Sequence, residues 1–379
     1  ARLVSMEHIK VIIAPDKFKG SLTSMQACEC IRSGVLQANK NAAIKIFPMA
    51  DGGDGFATAI KYYWQTATVH CKAVNPLMKA IDASYEWDET NKTAIIELAS
   101  ASGLMLLKED EQNPLHTSTY GTGLLIQHAI EKGACKIIVG LGGSATNDAG
   151  IGILSALGFG FKNKQGNILP PVGASLSSVN SIEPPPLLPS VEFVVACDVA
   201  NTLFGRQGAA YIYAPQKGAD GNAVKILDKG LRHFAYIIQL QTGKDIASFS
   251  GSGAAGGTAA GLAAFFKTQI VSGAKFIIDI SKIEEQIEGA GIVITGEGKL
   301  DSQSLQGKAV YEIAMLAKKR QTPLIIFCGQ NTLGKAAMQK AGKPIVVALT
   351  QKGSDDAAIK NAAALLSNAA ANYFKQAWF

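Results

Sequence analysis

Long apolar runs are missing from this 379-residue chain. None approaches the ~20 residues of a membrane-spanning helix. Aromatic residues are few, at 7%, and the Lys and Arg are scattered, with a net charge of only +6. Without a basic run interleaved with aromatics, a nucleic-acid partner is excluded on composition. The six Cys and five His show no zinc-type spacing. Cys28 and Cys30 stand two apart on an expected helix, on different faces. Cys135, Cys197 and Cys328 lie in or beside apolar runs, so free thiols in a reducing compartment are expected. Ala1 to Ser5 carries no signal-peptide core, and Met6 reads as the natural start. These absences lead to the expectation of a soluble, cytoplasmic protein with no nucleic-acid and no membrane partner. Self-association into a homo-oligomer is left open.

What the chain does have is apolar mass and glycine. It is 47% hydrophobic and 17% charged, with 39 Gly, enough for a full core and many tight turns. Its length suits two domains. The run Lys10-Val-Ile-Ile-Ala-Pro15 reads as a strand, and a helix capped by Thr23 should follow to about Asn39. A second strand, Ile44 to Pro48, leads into Asp51-Gly-Gly-Asp-Gly55 and a helix to about Trp64. This βαβα opening implies a parallel sheet. Thr66 to Val74, Ile81 to Trp87 and Thr93 to Leu98 then read as strands with no helix between them. Helices are expected at about Tyr120 to Lys132, Asp148 to Leu157 and Gly256 to Phe266, with strands at Lys136 to Leu141 and Val191 to Cys197. From Gly291 the first rhythm resumes: Gly291 to Thr295, Pro323 to Cys328 and Pro344 to Leu349 are short and β-branched. A long Ala-rich helix, about Asp355 to Trp378, ends the chain. The expected fold is α/β. Residues 1–70 and 291–379 should form a Rossmann-like parallel-sheet domain built from both chain ends, with residues 71–290 an inserted second α/β domain. Ligands in such folds sit at the carboxyl ends of strands and in the cleft between domains.

Five polar, Gly-rich segments follow expected strands: Asp16 to Ser21, Asp51 to Gly55, Gly140 to Asp148, Asp198 to Asn201 and Gly296 to Ser302. Charged residues at strand ends are where α/β enzymes keep their sites. The residue types suit phosphoryl transfer, which needs backbone N–H groups and a cation on the phosphates, Mg²⁺ on carboxylates, and a carboxylate near the attacking hydroxyl. Gly140 to Asn147 can approach phosphate at a helix N-terminus. Asp51 and Asp54 could share a metal or cap a helix, and from spacing alone the cap is favoured. Gly251-Ser-Gly-Ala-Ala-Gly256 matches the dinucleotide fingerprint. Asp245 to Ser250 is a poor strand, however, and no acidic residue stands about twenty positions on. No G-x-x-x-x-G-K-[ST] loop is present.

Taken in order, Ala14 to Ser21, Met49 to Gly55, Gly140 to Asp148, Ala196 to Asn201, Pro215 to Ala219, Gly253 to Gly257 and Gly296 to Asp301 with Gly307-Lys308 resemble the bacterial-type glycerate kinases (class I glycerate 2-kinases). The resemblance runs from about Ile9 to the C-terminus. Lys17 stands where that family more usually has Ser, Asp54 where it has Glu, and Arg206 where Pro is common. The resemblance implies an ATP-dependent phosphotransferase with Mg²⁺ as cofactor and ATP as co-substrate, making 2-phosphoglycerate and ADP from D-glycerate. A 3-phosphoglycerate product and a dinucleotide-dependent oxidoreductase are the alternatives. Asp198 is the preferred carboxylate for the hydroxyl proton, with Asp301 and Lys19 the other catalytic candidates. Asp16, Ser144, Thr146, Asn147, Asn201, Lys217, Glu297 and Lys308 are candidates for substrate or phosphate, and Asp51 and Asp54 for the metal.

Overall fold

The computed structural model describes residues 9–305, 307–334, 342–350 and 359–378. Strands among them are β1 (Lys10–Ile13), β2 (Ala43–Ile46), β3 (Ala67–Val74), β4 (Ala80–Asp88), β5 (Thr93–Glu97), β6 (Lys136–Gly140), β7 (Gly160–Lys162), β8 (Ser181–Glu183), β9 (Glu192–Ala196), β10 (Lys267–Val271), β11 (Ile292–Leu300), β12 (Leu324–Asn331) and β13 (Ile345–Ala348). The chain divides into two compact units, Ala1–Asp51 with Ser272–Phe379, and Gly52–Val271. Among the described residues no helix is long and apolar enough to cross a membrane.

The first unit holds a five-stranded sheet in the order β13-β12-β11-β1-β2, parallel throughout. Both chain ends build it, because β1 pairs with β11 through Val11↔Ile292, Ile12↔Val293 and Ile13↔Ile294. Numbered within this unit, the order is 2-1-3-4-5. It belongs to the doubly wound class, and its switch point lies between β1 and β11. The helix Ser24–Ala38 opens on a capping box: Thr23 accepts from the Gln26 amide and Gln26 answers the Thr23 amide. Its Ile31 and Val35 are buried with Leu366 and Phe374 of the helix Ala362–Trp378 and with Ile13, Ile294 and Phe327 of the sheet. The expected start of that last helix at Asp355 lies outside the described residues.

The second unit carries a six-stranded mixed sheet, β10-β9-β6-β5-β4-β3. The β3/β4 and β4/β5 pairs are antiparallel and the others parallel. Its core gathers Trp87, Leu125, Ile137, Val139, Phe193, Val195 and Phe234. Phe234 lies on the helix Gly221–Thr242, which Asp220 caps and Gly243 ends in left-handed backbone. The passages between units fall at Asp51 and Val271 rather than at 70 and 290. The helix Phe56–Trp64 packs on β4 and β5, while Gly273–Ser281 packs on Ala309–Lys319.

Two local differences bear on the sites. β11 continues through Gly296 to Leu300, paired to β12 as far as Leu300↔Asn331, so Glu297 is a strand residue, not a loop residue. The helix expected from Asp148 begins at Ile151, because Ala149 and Gly150 are left-handed.

Candidate active site

In the first unit, polar groups collect at the switch point between β1 and β11. After β1 the chain stays tied to β11: the Ala14 amide donates to Ile294 O at 2.7 Å and the Asp16 amide to Gly296 O at 2.8 Å. Asp16 is thereby held at the strand end, 6% exposed. Burial, reinforced by Asp51, raises its pKa to about 7, against the lowering influence of Lys17. Glu297 is also buried, and burial raises its pKa to about 7; Ser304 and Lys308 pull it down, and Asp301 and Asp51 push it up. Its Oε1 has no hydrogen-bond partner among the described residues. Lys17 Nζ lies 3.6 Å from Asp51 Oδ1. Asp301 is half-buried, 3.7 Å from Lys299, and its amide donates to Ser304 Oγ at 3.0 Å. Lys308 is the N-cap residue of Ala309–Lys319 without a side-chain cap bond, and Lys19 is exposed. Asp51 therefore acts on both Asp16 and Glu297, Glu297 acts on Asp16, and Asp301 and Lys308 act on Glu297.

In the second unit, the segment after β6 is packed tightly from its first residues. A Cβ on Gly142 would stand 2.3 Å from Gly53 Cα, so glycine here lets two backbones touch. The Asp51–Gly55 segment leads into Phe56–Trp64, but that helix has Gly55 as N-cap with no side-chain cap bond. Glu97 binds the Ala57 amide at 2.8 Å instead. The N-cap residue is thus Gly55 rather than Asp51 or Asp54, and Asp54 is exposed.

Further along, Ser144, Thr146 and Asn147 are all buried. Lys217, 3% exposed, reaches them from the turn Pro215–Lys217 and donates to Ser144 Oγ and Thr146 O, each at 2.7 Å. Burial lowers its pKa to about 7, with Asp148 opposing. Thr146 Oγ1 and both Asn147 side-chain atoms, Oδ1 and Nδ2, have no hydrogen-bond partner among the described residues. Asp148 is the contrast. It accepts from the Thr119 amide and hydroxyl, both at 2.8 Å, and from the Gly150 and Gly152 amides at 3.1 and 3.3 Å. Burial raises its pKa, and the Thr119 bonds oppose this. It is a structural anchor. Thr119 was not singled out in the sequence, although the hydroxyl-rich run Thr117-Ser-Thr-Tyr-Gly-Thr122 before a helix was a signal.

Asp198 is half-buried, two residues beyond the end of β9. Asn201 is committed to its own loop: Nδ2 donates to Gln207 O at 2.8 Å and Oδ1 accepts from Tyr213 at 2.5 Å. Before Gly251 there is no strand, and Ala255, Gly256 and Gly257 are left-handed inside the following helix. The dinucleotide fingerprint therefore lacks its strand-to-helix setting.

The model of the glycerate kinase family matches residues 11–377. A glycerate kinase of Halalkalibacterium halodurans is 39% identical over 366 residues, 96% of each chain. The glycerate 2-kinase of Escherichia coli is 38% identical over 358 residues, 93% of this chain and 94% of its own. A solved structure assigned to a glycerate kinase 2 of Salmonella typhimurium superposes with a TM-score of 0.83 at 34% identity, covering 98% of both chains. With a family match over nearly its whole length and relatives of this identity, the chain belongs to the glycerate kinase family.

Proposed function

We propose that this protein transfers the γ-phosphoryl group of ATP to a hydroxyl of D-glycerate, giving 2-phosphoglycerate and ADP. The family match over residues 11–377 carries the reading; the 2-position follows the name of the Escherichia coli relative. The missing strand before Gly251 removes the support for an oxidoreductase.

The carboxylates of the first unit suit a hard divalent cation. Burial and acidic neighbours raise the pKa of Asp16 and of Glu297 to about 7, and Glu297 Oε1 has no partner among the described residues, so the cluster is short of positive charge. Among the described residues no three His, Cys, Asp or Glu form a metal cage. Mg²⁺ does not need one, since it keeps waters and substrate phosphates and rests on one or two carboxylates. Asp51 and Asp54 would hold it, and when bound it neutralises charge on the transferring phosphoryl group.

Asp198 receives or orients the proton of the attacking hydroxyl, as a strand-end carboxylate can, with Asp301 next in order. Lys19 and Lys308 face phosphate; Asp16 and Glu297 orient substrate. Ser144, Thr146, Asn147 and Lys217 form a fixed polar cradle. Asn201 supports the loop after Asp198 through its bonds to Gln207 and Tyr213. Incubation with ATP, Mg²⁺ and D-glycerate, with phosphorus NMR of the product, tests the reading. A 2-phosphoglycerate signal is expected. A 3-phosphoglycerate signal would move the attacking hydroxyl, and no glycerate-dependent ADP would overturn the function.

A further inference from the structure

Three side-chain atoms on two consecutive residues, Thr146 Oγ1, Asn147 Oδ1 and Asn147 Nδ2, are buried without a partner. Leaving a buried polar atom without a partner is costly, so such atoms call for an explanation. Lys217 points into the same segment, Ser144 to Asn147. Its ammonium has three donors, and two are spent on Ser144 Oγ and Thr146 O. The cluster therefore offers an amide N–H₂ and one ammonium N–H as donors, the Thr146 hydroxyl as donor or acceptor, and Asn147 Oδ1, which can only accept.

We infer that this cluster is the subsite for the hydroxy acid rather than for a phosphate of the nucleotide, with Asn147 reading a substrate hydroxyl. The inference rests on glycerate being the acceptor. Phosphate oxygens are acceptors, so a phosphate would satisfy the donors and leave Asn147 Oδ1 facing negative charge. A hydroxy acid satisfies both kinds of group. Its carboxylate takes the Lys217 and Thr146 donors, and a hydroxyl donates to Oδ1 while accepting from Nδ2. A site built this way rejects ligands lacking the hydroxyl, because its own polar groups would stay unpaired.

The turn at Gly253–Gly257 packs against Thr146 and Asn147. A Cβ on Gly256 would stand 2.3 Å from Thr146 O and 2.4 Å from Asn147 Cα, and Gly256 O accepts from the Ala149 amide at 3.0 Å. Ala255 is left-handed at φ 49°, a conformation unfavourable for a residue with a Cβ. This strained turn is the segment that yields when a ligand enters.

Hydrogen–deuterium exchange on the wild-type protein tests the inference first. D-glycerate without nucleotide should change protection of amides 144–149 and 253–257, and inorganic phosphate should not. Calorimetric titration of Asn147→Leu and Asn147→Asp should then show D-glycerate affinity reduced at least tenfold, with MgADP affinity within twofold of wild type. The MgADP titration also reports that each variant is folded. Protection by phosphate, no response to glycerate, or variants that lose MgADP while keeping glycerate would each overturn the subsite. Wild-type protein that forms no ADP with glycerate would overturn the function and the subsite with it. Wild-type activity with a glycerate-insensitive Asn147 overturns the subsite alone.

Discussion

Lys217→Met keeps the side chain's volume and deletes its charge. In the fold the residue is 3% exposed, and burial, partly offset by Asp148, takes its pKa from 10.5 to about 7. In the unfolded chain the ordinary value returns. Between these two values the unfolded chain binds a proton that the folded chain does not, so wild-type stability should rise with pH through that window. The penalty is full below about pH 7 and gone above about pH 10.5. From the two pKa values it is about 4 kcal/mol at pH 7 and roughly 1.5 kcal/mol at pH 9.5. The Met variant escapes the penalty but removes the donor from Ser144 Oγ and Thr146 O, at about 1–3 kcal/mol each. At pH 7 the two effects should nearly cancel. Near pH 9.5 the variant should be the less stable by about 3 kcal/mol more than at pH 7. Urea unfolding followed by tryptophan fluorescence reads this, because Trp87 is buried in the core of the same unit. A wild-type-minus-variant difference that does not change with pH would refute the buried-cation argument.

Asp198→Asn should lower kcat by about 10²-fold or more in steady-state kinetics, with ATP binding retained. Near-normal kcat would move the proton-accepting role to Asp301. Lys17→Ser removes the ammonium 3.6 Å from Asp51, where both side chains are about one-fifth exposed. The pair is worth about 0.5–1 kcal/mol, so Mn²⁺, read by electron paramagnetic resonance without nucleotide, should bind roughly two- to fivefold tighter; unchanged affinity would show that Lys17 does not compete for the carboxylate.

Much of the framework was legible because its strands are buried on both faces and need no context to be read. β1, β6, β9 and β12 begin within a residue of their β-branched runs, and Thr23 caps its helix as its hydroxyl allows. β10 was missed. It is an edge strand, paired with β9 at one end of the sheet, and Lys267-Thr-Gln269 carries little apolar signal because an edge faces water. The extension of β11 was missed because Gly296 and Gly298 read as a turn. In the fold Gly296 lies against Phe327 O, where a Cβ would stand 2.4 Å away. The small residues serve close strand packing. Asp220 and Gly243, which bound the helix Gly221–Thr242, were visible end signals that the sequence reading left unused.

For the site, residue types were legible and their partners were not. Asn147 and Asn201 look equivalent in sequence, each a short amide after an expected strand. Asn201 spends both amide groups on Gln207 and Tyr213, six and twelve residues ahead, and so stabilises its own loop. Asn147 has neither group paired. The same division separates Asp148, with four donors from Thr119, Gly150 and Gly152, from Glu297, which keeps an unpartnered oxygen. Which member of each pair is satisfied depends on contacts made only on folding. A buried polar residue left unpaired among the described residues, against a cost of about 1–3 kcal/mol, is a candidate for a partner outside them, a ligand included. On that criterion Asn147 and Glu297 rank above Asn201 and Asp148 as groups that meet a ligand.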